Sequence, residues 1–248
     1  MEAVLYIGHG TRVPEGNAQL KAFCEEAMDA VDVPIQEVCY LELADPDIEA
    51  GVRRAVERGA TVLHVVPVLL FKAGHAKADI PEELARVKQL YPGVMFTYGE
   101  PFGLHEAIYP VLKRRLQEAG WQEGEAADVL FVGRGSSDTE AIGEFYELSA
   151  RLKEELGLER VAPCFLAAVT PAYRQGLEAE VHRTNNRSLY VLPYLLFTGL
   201  LMKEMKETIE EVAAERDVQL APYLGFDHAL TVILRERVEA LRACLQVG

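Results

Sequence analysis

The chain has 248 residues, 50% of them hydrophobic and 26% charged, with a formal net charge of −14. That composition supplies apolar side chains for one large core or two ordinary ones and excludes a disordered chain. The acidic excess excludes general nucleic-acid binding, which needs a basic footprint to displace phosphate counterions, and no apolar run approaches the roughly 18 residues of a membrane span.

The chain opens on a strand-like segment with no basic n-region, apolar h-region or small-residue cleavage site, so a cytoplasmic protein is expected. Cys24, Cys39, Cys164 and Cys244 form no C-x-x-C pair. Neither a thiolate zinc site nor a redox dithiol is indicated, and reduced, mostly buried thiols are expected.

In chain order, "AVLYIG" (3–8), "IQEVCYLE" (35–42), "TVLHVV" (61–66) and "VMFTYG" (94–99) are short runs rich in β-branched and aromatic residues. They read as four strands. Helical spacing fills the intervals, at Leu20, Phe23, Cys24, Ala27 and Val31, then Ile48, Val52, Ala55 and Val56, then Ile80, Leu84, Val87 and Leu90, and last Ile108, Leu112 and Leu116. The βαβαβαβα order predicts parallel strands joined by right-handed crossovers, with helices on both faces of the sheet.

The second half repeats the first. An offset of 125 sets Gly8 on Gly133, Gly10 on Gly135, Cys39 on Cys164, Leu41 on Leu166 and Pro46 on Pro171. One further residue sets "VVPVLLF" (65–71) on "VLPYLLF" (191–197). So long a period means domain duplication rather than a solenoid. The polar "EAGWQEGEAAD" (118–128) is the natural joint, giving domains 1–122 and 123–248. The predicted architecture is α/β: two tandem doubly wound parallel-sheet domains of Rossmann type, with a ligand cleft between them outside the carboxyl ends of the strands.

That rule gathers Gly8 to Arg12, Glu42 to Pro46, Pro67 to His75 and Gly99 to Phe102 at one mouth. His9 stands between two glycines, where the backbone lets a ligand approach and imidazole can ligate a metal or move a proton. A dinucleotide fingerprint is excluded, because Val13 stands where its third glycine would be, and no phosphate-cradling G-x-x-x-x-G-K-[ST] loop occurs. In the copy, Arg134 replaces His9, Ala167 replaces Glu42 and Leu201 replaces His75, while the glycines and prolines persist. Scaffold needs alone do not produce that pattern. Two imidazoles and a carboxylate make an N/O site suited to Fe²⁺, Co²⁺, Ni²⁺ or Zn²⁺, with open positions for exchange. His64 reads as a packed strand residue, and His105, His182 and His228 as background.

"GHGTR", "LELADP" (41–46) and "VVPVLLFKAGHAKADIP" (65–81) resemble the class II chelatases, the sirohydrochlorin chelatases of siroheme and cobalamin synthesis, over essentially the whole chain. The resemblance implies that His9 is metal ligand and proton acceptor, His75 a second ligand and Glu42 a further ligand or proton-transfer group. It implies Asp45 as a substrate contact and Leu70, Phe71, Lys72, Ala73 and Gly74 as the lining of the tetrapyrrole pocket. It further implies a lyase that needs no ATP, holds no permanent cofactor and takes divalent metal and sirohydrochlorin as substrates. No iron-sulfur cysteine motif or histidine-rich segment of the kind some members carry is present near the C-terminus.

The implied substrate carries eight carboxylates, and the basic residues nearest the mouth loops in sequence are Arg12, Lys72, Lys77 and Arg134. Arg134, at the position equivalent to His9, is expected to aim a carboxylate-binding fork from the second domain. Metal binding demands neutral imidazole, so activity is expected to fall as pH drops through the ordinary histidine range. One chain already supplies both lobes, so a monomer is expected. Two alternatives stay open at this stage: a histidine-phosphatase-like hydrolase, suggested by "HGT" but lacking its arginine at Gly8, and a non-catalytic metal or tetrapyrrole carrier.

Overall fold

The central strand of the first sheet, β1 (Glu2–Gly8), is apolar on both faces and buried from Ala3 to Gly8, as a strand covered on both sides must be. In the computed structural model, which describes residues 1–183, 187–197, 201–213 and 217–246, it is flanked by β2 (Ile35–Tyr40) and β3 (Val62–Pro67), with β4 (Met95–Tyr98) beyond β3. All pairings are parallel, giving the order β2-β1-β3-β4. The second sheet, β6-β5-β7-β8, repeats that order with β5 (Ala127–Gly133), β6 (Arg160–Phe165), β7 (Ser188–Tyr194) and β8 (Val218–Leu220), again all parallel. The duplicated α/β architecture read from the sequence is therefore observed.

One face of β1 puts Ala3, Leu5 and Ile7 into a core with α2 (Ile48–Glu57) and α3 (Ile80–Leu90), through Ile48, Val52, Ala55, Ile80, Leu84 and Val87. On the second sheet, Leu130, Val132, Tyr173, Leu177 and Met205 build the equivalent core with α6 (Tyr173–Val181) and α7 (Leu201–Val212). The other helices are α1 (Pro14–Met28), α4 (Ile108–Glu118), α5 (Thr139–Leu156) and α8 (Thr231–Gln246). Burial pushes the Cys39 and Cys164 thiols up, which keeps them protonated and inert. No helix among the described residues is long and apolar enough to cross a membrane.

Contacts divide the chain elsewhere than at the expected joint of 122 and 123. One unit is Met1–His105 with Phe226–Gly248; the other is Glu106–Gly225. The reason is an exchange of helices. α4 follows β4 but packs on β7 and α5, and its Arg115 donates to the carbonyls of Tyr223 and Leu224. α8 follows β8 but packs on α1 and β3, where Leu241 lies against Gly99, Arg237 donates to the carbonyls of Pro101 and Phe102, and Arg242 pairs with Glu2. The segment read as a linker is anchored in the second unit: Trp121 is buried and its indole N–H donates to Glu125 O.

Candidate metal centre

β1 ends at Gly8 and releases His9 into the loop before α1. A Cβ on Gly8 would sit 2.4 Å from Leu20 Cδ1, so α1 presses directly on the strand end. Gly10 has φ +86, and a Cβ there would fall 1.9 Å from Glu42 O. Only glycine allows the two loops to approach so closely. Their contact is a short backbone extension of the sheet, Leu41 N–H to Gly8 O at 2.9 Å and Glu42 N–H to His9 O at 3.1 Å. The far side of the loop is pinned by Asn17, whose amide both accepts from Thr11 N–H and donates to Thr11 O. Glu42 is thereby held beside His9 two residues past the end of β2.

His75 opens a π-turn, His75–Asp79, ahead of α3. Pro81 explains the wide turn: it has no N–H to return to the carbonyls of the preceding turn, and a proline ring crowds the carbonyl four residues back. The Ile80 N–H reaches His75 O instead, and the Tyr98 hydroxyl donates to Ala76 O at 2.9 Å. Burial holds the Tyr98 phenol well above its ordinary range, so it remains a donor.

Three side chains meet here. His9 Nε2 lies 3.1 Å from His75 Nε2 and 3.4 Å from Glu42 Oε1. The three donor atoms all fall within 4.8 Å of one another. His9 Nδ1 is 2.9 Å from Gly10 O and must donate to it, since a carbonyl only accepts. His75 Nδ1 is 2.7 Å from Asp79 Oδ2 and donates likewise. Each ring's Nδ1 is thus occupied, which leaves the two Nε2 atoms facing one point. Two lone pairs and a carboxylate at such separations repel unless a proton or a cation lies among them. For an ion about 2.1 Å from each donor, 3.1 and 3.4 Å subtend about 95° and 108°, ordinary cis angles for a divalent first-row metal. His9 is mostly enclosed at 15% side-chain exposure, whereas Glu42 at 49% and His75 at 43% keep the site open to exchange.

Of the other residues singled out in the sequence, Arg12, Asp45 and Lys77 are exposed, while Leu70, Phe71, Lys72 and Ala73 are half-buried and Gly74 leads into the π-turn. Lys72 pairs with Glu100 at 2.6 Å, so it must exchange that partner to meet a substrate carboxylate. Arg134 is exposed on the corresponding loop of the second unit. His64 is buried and bonded to Thr97 Oγ1, as a packed strand residue.

The second unit repeats the loop without the chemistry. Leu166 N–H bonds Gly133 O, Ala167 N–H bonds Arg134 O, and a Cβ on Gly135 would lie 1.9 Å from Ala167 O. Leu43 and Ala168 share a left-handed φ of 63 and 64, and the prolines at 46 and 171 both follow cis bonds. Met205, Ile209 and Val212 pack in the second core as Ile80, Leu84 and Val87 do in the first. Sequence reading missed Asp79 and Tyr98; the H-x-x-x-D spacing was the available signal for the first.

A pair of parallel α/β units with an exchange-open His/His/Glu cluster in one of them defines a class of metal-handling protein. The CbiX family profile matches residues 3–119 and again 128–241, and the chain belongs to that family. It is 46% identical over 242 residues to a sirohydrochlorin ferrochelatase of Priestia megaterium, covering 97% of this chain and 91% of the relative. A sirohydrochlorin cobaltochelatase of the same organism is 36% identical, with 96% and 79% covered. The solved structure of SirB from Bacillus subtilis with Fe³⁺ superposes with a TM-score of 0.92 at 37% identity, covering 100% of this chain and 98% of that one.

Proposed function

We propose that this chain is a sirohydrochlorin metal chelatase of siroheme or cobalamin synthesis, a lyase that takes Fe²⁺ or Co²⁺ onto His9, Glu42 and His75 and inserts it into the macrocycle. The observation that carries the ligand assignment is the pair of Nε2 atoms 3.1 Å apart, with Glu42 Oε1 at 3.4 Å and both Nδ1 atoms tied elsewhere. A divalent ion replaces the repulsion between these donors with three bonds, yet it retains open positions through which a macrocycle nitrogen enters its coordination shell.

Insertion removes two pyrrolic N–H protons. As the ion leaves for the ring, the Nε2 lone pairs of His9 and His75 again face each other, and their repulsion is relieved when one takes a proton and donates it to the other. The metal site is therefore also the nearest base, and the departing ion uncovers it in step with proton release. The second proton goes to the half-exposed carboxylate of Glu42, which passes protons on to solvent. Substrate contacts are assigned to Asp45 and the segment 70–74, with Arg12 and Lys77 for the carboxylates. An unchanged KM in Arg12→Ala removes that residue from the set.

The test is anaerobic insertion into sirohydrochlorin followed by absorbance, with Fe²⁺, Co²⁺ and Ni²⁺ compared at equal concentration. Acceleration over the uncatalysed rate that is lost in His9→Ala supports the assignment. Sirohydrochlorin binding without acceleration would make the protein a carrier, and full turnover in His9→Ala would remove the site.

A further inference from the structure

We propose that Asp79 is the positioning residue that makes His75 a metal ligand: its carboxylate holds the ring proton on Nδ1 and so directs the Nε2 lone pair at His9 and Glu42. The inference rests on the reading of His75 as a ligand. A free neutral imidazole favours the other tautomer, with its proton on Nε2, and in that form His75 would present N–H to the metal point instead of a lone pair. Some acceptor must therefore take the Nδ1 proton. His9 uses the Gly10 carbonyl of its own loop at 2.9 Å; His75 uses Asp79 Oδ2 at 2.7 Å.

The placement of Asp79 favours this role. It lies inside continuous helix, with φ −63 and ψ −47 between the π-turn and α3, where the Ile80 N–H is already bonded to His75 O and Pro81 has none, so its carboxylate is free to face the imidazole. Asp79 is also absent from the group of donors that converge on the metal point. Its carboxylate is turned instead to the far side of the imidazole, in a π-turn that carries ligand and acceptor four residues apart. The Tyr98 hydroxyl braces that turn at Ala76 O. At 52% side-chain exposure, Asp79 acts through hydrogen-bond geometry more than through charge, which water screens. Carboxylate partners of metal-bound histidines are worth about 10- to 100-fold in affinity. This exposed one belongs at the lower end, about tenfold.

Two measurements on the intact protein test it: the ¹⁵N tautomer pattern of His75 without metal at pH 8.5, and the affinity for Co²⁺ alone. In Asp79→Ala the Nε2–H tautomer should appear and Co²⁺ affinity fall about tenfold. Asp79→Asn keeps an acceptor oxygen and the side chain's shape, so it should retain the Nδ1–H tautomer and most of the affinity. It also serves if Asp79→Ala fails to fold. A His75 tautomer unmoved in Asp79→Ala, with Co²⁺ affinity within twofold of wild type, overturns the proposal, as does an Asp79→Asn variant that loses both. His75→Ala separates the two readings. If it binds Co²⁺ like wild type, the ligand reading fails and takes this inference with it; if it loses Co²⁺ while Asp79→Ala does not, only the role of Asp79 falls.

Discussion

Gly10 and Gly135 permit one perturbation to be made twice in one molecule. An added Cβ would lie 1.9 Å from Glu42 O in the first unit and 1.9 Å from Ala167 O in the second, and both glycines have left-handed φ, +86 and +90. Real Cβ atoms essentially never come closer than 3.0 Å, so Gly10→Ala must push the His9 and Glu42 loops apart by at least 1.1 Å. Left-handed φ adds about 1–2 kcal/mol of strain in either variant. The stability cost should therefore be similar for Gly10→Ala and Gly135→Ala. The functional cost should not. A displacement of about 1 Å between groups that must converge on one atom costs about 10²-fold in rate, and only the first unit has such groups. Urea unfolding, Co²⁺ titration and anaerobic insertion measured on both variants check this. Gly10→Ala should lose about 10²-fold in kcat and bind Co²⁺ weakly, while Gly135→Ala should bind Co²⁺ like wild type. Equal loss of Co²⁺ binding in the two, or none in Gly10→Ala, refutes the reasoning.

His9→Ala and His75→Ala should each abolish insertion while the circular dichroism spectrum and urea midpoint stay near wild type, because neither side chain belongs to the core. Tyr98→Phe leaves Ala76 O without its donor and should cost about 1–3 kcal/mol in urea unfolding, with weaker Co²⁺ binding as the π-turn loosens. Burial holds His64 below the ordinary imidazole range, with Arg242 adding to the effect and Glu2 opposing it. Its stability contribution is complete above about pH 6.5 and shrinks as pH falls below that, because the unfolded chain takes up the proton first. The urea midpoint of wild type should drop between pH 7.5 and 5.5 by more than that of His64→Gln; parallel drops would contradict the assignment.

The sheets were legible because the inner strands β1, β3, β5 and β7 are short apolar runs buried on both faces, and the duplication because the same glycines recur at Gly8 and Gly133 and at Gly10 and Gly135. His9, Glu42 and His75 were legible for the same reason, since a copy that keeps the scaffold and drops three polar side chains exposes what the scaffold does not need. The exchange of α4 and α8 was not legible. An apolar stripe such as Ile233, Leu234, Val238 and Leu241 says that a helix is covered but not by which sheet. Asp79 was hidden by local geometry: only the π-turn before Pro81 shows that it faces the imidazole. The Lys72–Glu100 pair joins loops 28 residues apart, beyond any local pattern.

The most direct measurement of the central claim is anomalous diffraction at the cobalt edge from crystals equilibrated with Co²⁺. The His9/Glu42/His75 assignment predicts a strong peak bonded to His9 Nε2 and His75 Nε2 at about 2.1 Å, with a Glu42 oxygen in the same shell. A cobalt peak at the loop of Arg134 and Ala167, or none between the two imidazoles, would contradict it.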